Sequence, residues 1–146
     1  MLTFTGLAAE RVGMAPDVVA FTISLPANAT SATTARTEVT RRLSQRITSG
    51  ALEDVRLLLT ELITNSLRHG GVTAEDEIGV RAELSDGTVR IEVHDPGRDG
   101  PPEVRTPGAR GGGYGLFLVD RLTSEWGVDR RDGTTVWAEL SAGSAR

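Results

Sequence analysis

The sequence predicts an α+β fold, a two-layer α/β sandwich in which helices cover one face of a mixed, mainly antiparallel sheet. Three observations lead there. Apolar residues alternate with polar ones in five separate runs, the period of a strand with one buried face. Three other stretches carry apolar residues at spacings of three and four, the period of a helix. The order is strand, helix, helix, strand, strand, loop, helix, strand, strand, without internal repeats, and it contains two hairpins. A chain of 146 residues suffices for one such domain and is short for two.

Residues 1–18 form an N-terminal extension to which no element is assigned; a single domain is expected over 19–141, followed by a tail at 142–146. In the first strand Val19, Phe21, Ile23 and Leu25 alternate with polar or small residues and stop at Pro26. Asn28, Thr30 and Ser31 are N-cap candidates for the helix after it, whose stripe is Ala32, Ala35, Val39, Leu43 and Ile47, with Ser49 and Gly50 as its expected end. A second helix is expected from about Leu52 to His69, closed by Gly70 and Gly71. It is apolar nearly all round (Leu52, Val55, Leu57, Leu58, Leu59, Leu62, Ile63, Leu67), so it should be central and covered on most sides.

Next, Ile78, Val80, Ala82 and Leu84 alternate with charged residues, Asp86-Gly87 turns the chain, and Val89, Ile91 and Val93 alternate again. Asp-Gly supplies the positive φ angles of a tight hairpin. A long irregular loop, Pro96 to Gly113, follows, of the length that is usually functional. A third helix starts near Tyr114 or Gly115 and carries Leu116, Leu118, Val119 and Leu122. Trp126 and Val128 begin a last hairpin that turns over Asp129 to Gly133 and returns through Thr134, Val136, Ala138 and Leu140.

Composition excludes several chemistries. All 16 basic residues are Arg, and a chain without Lys has no Schiff base, no GxxxxGK[ST] phosphate loop and no strand Lys of an ordinary protein kinase. There is no Cys, hence no disulfide, zinc ribbon or thiol nucleophile; with His69 and His94 alone, a multi-histidine metal centre is not expected. A net charge of −4 argues against nucleic acid as a direct partner. With no membrane-length apolar window and no signal-like start, the expectation is a cytoplasmic protein that does not engage a membrane.

Three elements can carry chemistry. Glu61 and Asn65 stand at i and i+4 on the central helix and share a face, with Asp54 extending the stripe. A carboxylate and an amide there suit a site where one oxygen takes a proton and another ligates a hard cation such as Mg²⁺. Spacing alone leaves a solvated face as an equal account. Asp95 ends an alternating strand and is followed by Pro96-Gly97, where an acid can accept a hydrogen bond from an exocyclic amine while glycine allows close approach; an ordinary Asp-Pro-Gly turn is the other account. Arg110-Gly111-Gly112-Gly113-Tyr114-Gly115-Leu116 leads into a helix, so unpaired backbone N–H groups and the positive dipole end can face phosphate; a flexible connector is the other account. A Rossmann reading is poor because these glycines follow a loop rather than a strand. Without Lys, a polyphosphate would be neutralised by Mg²⁺ and by Arg, with Arg110 or Arg105 best placed.

In this order the elements resemble the ATPase superfamily of gyrase, the Hsp90 chaperone, histidine kinases and MutL, and within it the stand-alone anti-sigma-factor serine kinases. The resemblance covers about Phe21 to Leu140. It is carried by Leu59-Thr60-Glu61-Leu62-Ile63-Thr64-Asn65-Ser66-Leu67-Arg68-His69-Gly70 (the N box), Asp95-Pro96-Gly97, Gly113-Tyr114-Gly115-Leu116-Phe117-Leu118-Val119, and Gly133-Thr134-Thr135-Val136. It implies ATP and Mg²⁺: Asn65 as the Mg²⁺ ligand, Glu61 as general base, Asp95 on the adenine amino group with Thr134 supporting it through hydroxyl or water contacts, and Gly97 making room for the base. Gly113, Gly115 and the N–H groups around Leu116 would cradle the phosphates beside Tyr114, under a lid from Pro96 to Gly112 that includes Arg110 and Gly111. Arg36 falls where such kinases contact their protein partner, and dimers are implied.

Departures are specific. The usual DxGxG has Asp99 in place of its second glycine, with Gly100 one position late; Arg110 is about one position out of register with the lid Arg of some relatives. No helix pair with a phosphoacceptor His is expected within residues 1–18, and His69 reads as a helix-end or pocket residue. The resemblance thus implies a Mg-ATP-dependent serine/threonine protein kinase that phosphorylates an anti-anti-sigma antagonist and sequesters a sigma factor. Its rivals are a non-catalytic ATP-sensing switch and an ATP hydrolase of the same fold.

Overall fold

The computed structural model describes residues 18–97 and 115–143. The elements are β1 (Val19–Pro26), α1 (Ser31–Leu43), α2 (Ser49–His69), β2 (Glu77–Ser85), β3 (Thr88–Asp95), α3 (Gly115–Leu122), β4 (Glu125–Asp129) and β5 (Thr134–Ser141). The two-layer α+β arrangement is as expected: one five-stranded sheet in the order β1-β2-β3-β5-β4, with the helices packed on it and on one another.

All four strand pairings are antiparallel. The expected mixed sheet is corrected: every ladder among the described residues is antiparallel. Because β5 runs antiparallel to both β3 and β4, those two are parallel to each other, but β5 lies between them, so no parallel ladder forms. The last hairpin therefore inserts its second strand next to β3 and leaves its first at the sheet edge.

One helix boundary differs from expectation. α1 ends at Leu43, and Ser49-Gly50 open α2 instead of closing α1. The cause is Thr48, extended at φ −70° and ψ 161°, whose Oγ1 accepts the Ala51 N–H at 3.1 Å and caps the new helix. Ile47 packs against the core from the connecting turn, which is why it continued the apparent stripe. Among the cap candidates of α1, Asn28 does the work from upstream: its Oδ1 accepts Thr30 N–H at 2.8 Å and its carbonyl oxygen accepts the Ser31 hydroxyl at 2.7 Å.

The core forms where the inward side chains of β1, β2, β3 and β5 (Phe21, Ile23, Val80, Ile91, Val93, Val136 and their neighbours) meet the stripes of the helices, with Trp126 and Val128 of β4 packed against its margin. α2 contributes most, burying Val55, Leu58, Leu59, Leu62 and Ile63 completely. The opposite sheet face is polar: Arg90 bonds Glu92 and Glu139 at 2.8 Å each and lies 4.3 Å over the Trp137 ring. No helix among the described residues is long and apolar enough to cross a membrane.

The β2–β3 turn has the expected geometry, with φ 52° at Asp86 and 76° at Gly87. Nothing lies within 4 Å of a Cβ placed on Gly87, so Gly87→Ala tests the backbone alone. The left-handed conformation should cost about 1–2 kcal/mol, read as a lower urea midpoint at unchanged m-value.

Candidate functional site

The C-terminal end of α2 runs into the end of β3. Gly70 caps the helix, its N–H donating to the Ser66 carbonyl oxygen at 2.8 Å. A Cβ at Gly70 would stand 2.6 Å from both Cγ and Oδ2 of Asp95, so only glycine lets the helix end meet this carboxylate. Asp95 is 3% exposed. Its Oδ1 accepts the Gly97 N–H at 2.6 Å, which holds the chain as it leaves the strand. Gly97 adopts φ 70°, and a Cβ there would overlap Thr134 Oγ1.

Thr134 pairs directly with Asp95 across β3 and β5 and is also 3% exposed. Gly133 lies against the Asp95 carbonyl oxygen. Three glycines from three segments thus close round one buried carboxylate and one buried hydroxyl. Such pairs are costly unless hydrogen-bonded, and here each keeps bonding capacity that no described residue fills. Ser66 shows the same: 1% exposed, on the last turn of α2, its Oγ has no partner among the described residues.

Glu61 and Asn65 lie on the half-buried flank of α2, two turns and one turn before this end respectively. Partial burial pushes the Glu61 carboxyl above the usual carboxylate range, opposed in part by the positive charge of Arg68. None of the side-chain hydrogen bonds among the described residues engages the Asn65 carboxamide. Asp54 is not part of this group. It lines an open groove of about 420 Å³ with Arg36, Glu53, Arg56, Leu57 and Thr60, eleven residues or roughly 16 Å of helix from Asn65. In that groove Arg36 donates to Thr60 Oγ1 at 2.8 Å, and Leu57 is 40% exposed.

α3 packs along α2 through Leu116 and Val119, so Gly115 and Leu116 open a helix beside the one that carries Glu61 and Asn65. The expected contributions of Arg105, Arg110, Gly111, Gly113 and Tyr114 fall outside the described residues. His69 is exposed at the end of α2, and His94 is exposed on the outer sheet face, where its Nδ1 lies 2.8 Å from Thr135 Oγ1. Among the described residues no three His, Asp or Glu side chains come together to hold a metal.

Two polar contributors escaped the sequence reading. Ser66 continues the buried 59, 62, 63 stripe of α2 and could have been found by that spacing. Arg130 carried no signal: it sits in the β4–β5 turn beside Arg131, and both look like solvated charges. The structure separates them. Arg131 closes on Asp129 at 2.6 Å, and that hydrogen bond lowers the Asp129 carboxyl to about 2. Arg130 turns the other way, its Nη1 donating to Thr134 Oγ1 and, at 3.3 Å, to the Gly97 carbonyl oxygen.

Residues 25–140 match the family described as histidine kinase-like ATPase domain. Over 99 residues the chain is 31% identical to the serine-protein kinase RsbW of Listeria innocua serovar 6a, a match spanning 59% of this chain and 63% of the relative. It is also similar to the crystal structure of the RsbU and RsbW domains of Rv1364c from Mycobacterium tuberculosis, with a TM-score of 0.64 at 25% identity over 84% of this chain and 32% of that one. The chain thus spans under two thirds of the curated relative and about a third of the solved chain.

Proposed function

Because the chain belongs to the histidine kinase-like ATPase domain family, we propose that it is a Mg-ATP-dependent protein serine kinase of the cytoplasm, which phosphorylates a small antagonist protein and, in its other state, sequesters a sigma factor. The observation that carries the reading is the buried Asp95–Thr134 pair, walled by Gly70, Gly97 and Gly133 at the end of the helix that bears Glu61 and Asn65. Asp95 accepts from the exocyclic amine of adenine, and the glycines let three segments close on Asp95 and Thr134 where any Cβ would collide with them. Ser66 Oγ, buried without a partner among the described residues, supplies one more polar group for a nucleotide or a bridging water.

Asn65 provides a single neutral oxygen, which fits Mg²⁺: this ion keeps several waters, is satisfied by few protein ligands and takes the rest from phosphate oxygens. When bound with ATP it neutralises charge on the phosphates. Gly115 and Leu116 offer N-terminal N–H groups to phosphate, together with Arg110, Gly111, Gly113 and Tyr114. Glu61 takes the proton of the attacking serine hydroxyl, and its raised carboxyl brings it closer to neutrality, where a general base is most effective. Phosphoryl transfer needs mainly positioning and charge stabilisation, so the absence of Lys is no obstacle. Arg36 and the groove beside Leu57 form the contact for the protein partner.

The test is incubation of the purified chain with Mg-ATP and its co-encoded acceptor candidates. Phosphoserine on one acceptor is the expected result. Tight ATP binding with no acceptor ever labelled would favour a nucleotide-sensing switch, a reading to which Asp99 in place of the second glycine lends weight. Steady phosphate release without an acceptor would favour a hydrolase.

A further inference from the structure

The groove between α1 and α2 holds Leu57, the one large apolar side chain exposed among the described residues, beside Arg36, which pairs with no acid among them. Both partners of Arg36 there are hydroxyls: Nη1 donates to Thr60 Oγ1 at 2.8 Å and Nη2 to Thr33 Oγ1 at 3.2 Å. A guanidinium carries five donors and no acceptor, so most of its donors and all of its charge stay available. Thr33 is exposed on the same helix as Arg36, so Thr60 is the contact that ties the guanidinium across to α2. The Thr60 hydroxyl is itself oriented. It donates its proton to the Arg56 carbonyl oxygen at 3.0 Å, which leaves its lone pairs to accept from Arg36. The rest of the groove is balanced in charge. Glu53 engages Arg56 at 3.4 Å, and Asp54 adds a negative charge. A carboxylate would therefore be drawn here by the directed N–H groups of Arg36 rather than by a positive field, and the strength of that contact depends on how firmly the guanidinium is held. The same face of α2 leads to the proposed base: Leu57 and Glu61 stand at i and i+4, and Thr60 immediately precedes Glu61.

We infer that Thr60 is a positioning residue for the acceptor protein: its hydroxyl holds the Arg36 guanidinium across the seam of α1 and α2, ready to take a carboxylate of the acceptor next to an apolar side chain seated on Leu57. This rests on the proposed reading of the groove as the contact for the protein partner, and adds the group that gives that contact its geometry. An Arg side chain loses much rotamer freedom when a partner fixes it. Thr60 fixes it before the acceptor arrives, so less ordering remains to oppose binding. Thr60 itself touches neither nucleotide nor serine in this reading and acts through Arg36 alone. Its loss is therefore expected in KM for the acceptor, and not in kcat or in KM for ATP.

Steady-state kinetics of phosphoserine formation test this, with the co-encoded candidate that the wild type labels as the acceptor. Thr60→Val keeps the branched shape and removes the hydroxyl. It should raise KM for the acceptor ~5-fold, the scale of one side chain left to be ordered on binding, with kcat and KM for ATP within about twofold of the wild type. Thr60→Ser, which restores the hydroxyl, should bring KM for the acceptor back to within about twofold. Arg36→Met should raise that KM at least as much as Thr60→Val, and adding Thr60→Val to it should raise it no further, because no guanidinium is left to hold. A second readout needs no acceptor: NMR relaxation at the Arg36 Nε should report a more mobile guanidinium in Thr60→Val than in the wild type or Thr60→Ser. Where Arg36→Met weakens the acceptor, an unchanged KM or unchanged Arg36 mobility in Thr60→Val, or a further rise in the double variant, would overturn the role of Thr60 alone. An unchanged acceptor KM in Arg36→Met, or a wild type that labels no acceptor, would overturn the groove as the partner contact and this inference with it.

Discussion

Asp95→Asn should reduce ATP affinity by about 10- to 100-fold, the scale of a hydrogen bond to a charged group lost in a dry pocket. The substitution is nearly isosteric, so the close approach of Gly70 to the side chain is preserved. What changes is hydrogen-bond character. The wild-type carboxylate accepts the Gly97 N–H on one oxygen and leaves the other for the ligand. An asparagine has one acceptor and one donor group, so either the Gly97 N–H or the adenine amine must face an NH₂. Both orientations place donors against donors where water cannot intervene, which costs more than the simple absence of a bond. Calorimetry with ATP and ADP should show the same loss for both, because the affected contact is to the base and not to the terminal phosphate. Circular dichroism should show a folded protein. Affinity equal to the wild type would remove the base pocket from this end of the sheet.

The proposed base site was only half legible in the sequence, for reasons that differ residue by residue. Asp95 ends a strand whose alternation is plain, and Thr134 begins another; the family resemblance put both on the base, but nothing in the local pattern of either segment makes them ladder partners. Their pairing follows from the insertion of β5 between β3 and β4, a choice made by packing over the whole sheet. Local signals were reliable where a local interaction decides: the Asp86-Gly87 turn sets its own φ angles, and the apolar girdle of α2 marks a central helix wherever it docks. They misled where two local signals competed. Ser49-Gly50 reads as a helix stop, yet Thr48 caps the next helix one residue earlier, and Ile47 reaches the core from a turn rather than from a helical stripe. Asp54 shared the stripe of Glu61 by spacing, but over several turns of helix it belongs to the groove with Arg36. Arg130 was invisible because two adjacent arginines in a polar turn differ only in the side of the hairpin each one takes.

The glycine-rich stretch before α3 was the strongest phosphate signal in the sequence, and the described residues include only its last members, Gly115 and Leu116. Their placement beside α2 is nonetheless informative. A helix N-terminus and a carboxylate-amide pair on the neighbouring helix are what a phosphoryl group needs at its two ends: donors for the charge that stays, and an acceptor for the proton that leaves.

Glu61→Gln should lower kcat for acceptor phosphorylation by about 10²–10⁴-fold while leaving ATP affinity within about twofold, since a general base acts in the transition state and the base pocket lies a turn or more further along. The amide keeps the size of the side chain and loses its proton affinity. The pH dependence gives a second signature. Burial raises the Glu61 carboxyl above its usual range, so the acid limb of kcat should lie higher than that of an exposed glutamate; Arg68→Met, which removes the opposing positive charge, should move that limb to still higher pH. Stability has the opposite sign to activity here. A carboxyl whose folded-state pKa is raised binds its proton more tightly in the native state, so its contribution to stability falls as pH climbs from the unfolded value through the folded one. At neutral pH the ionised Glu61 therefore costs stability, and the neutral Gln variant should melt no lower than the wild type. Loss of transfer at an unchanged or raised melting temperature separates a missing base from a damaged fold. Wild-type labelling rates in Glu61→Gln would instead mean that the serine proton leaves by another route.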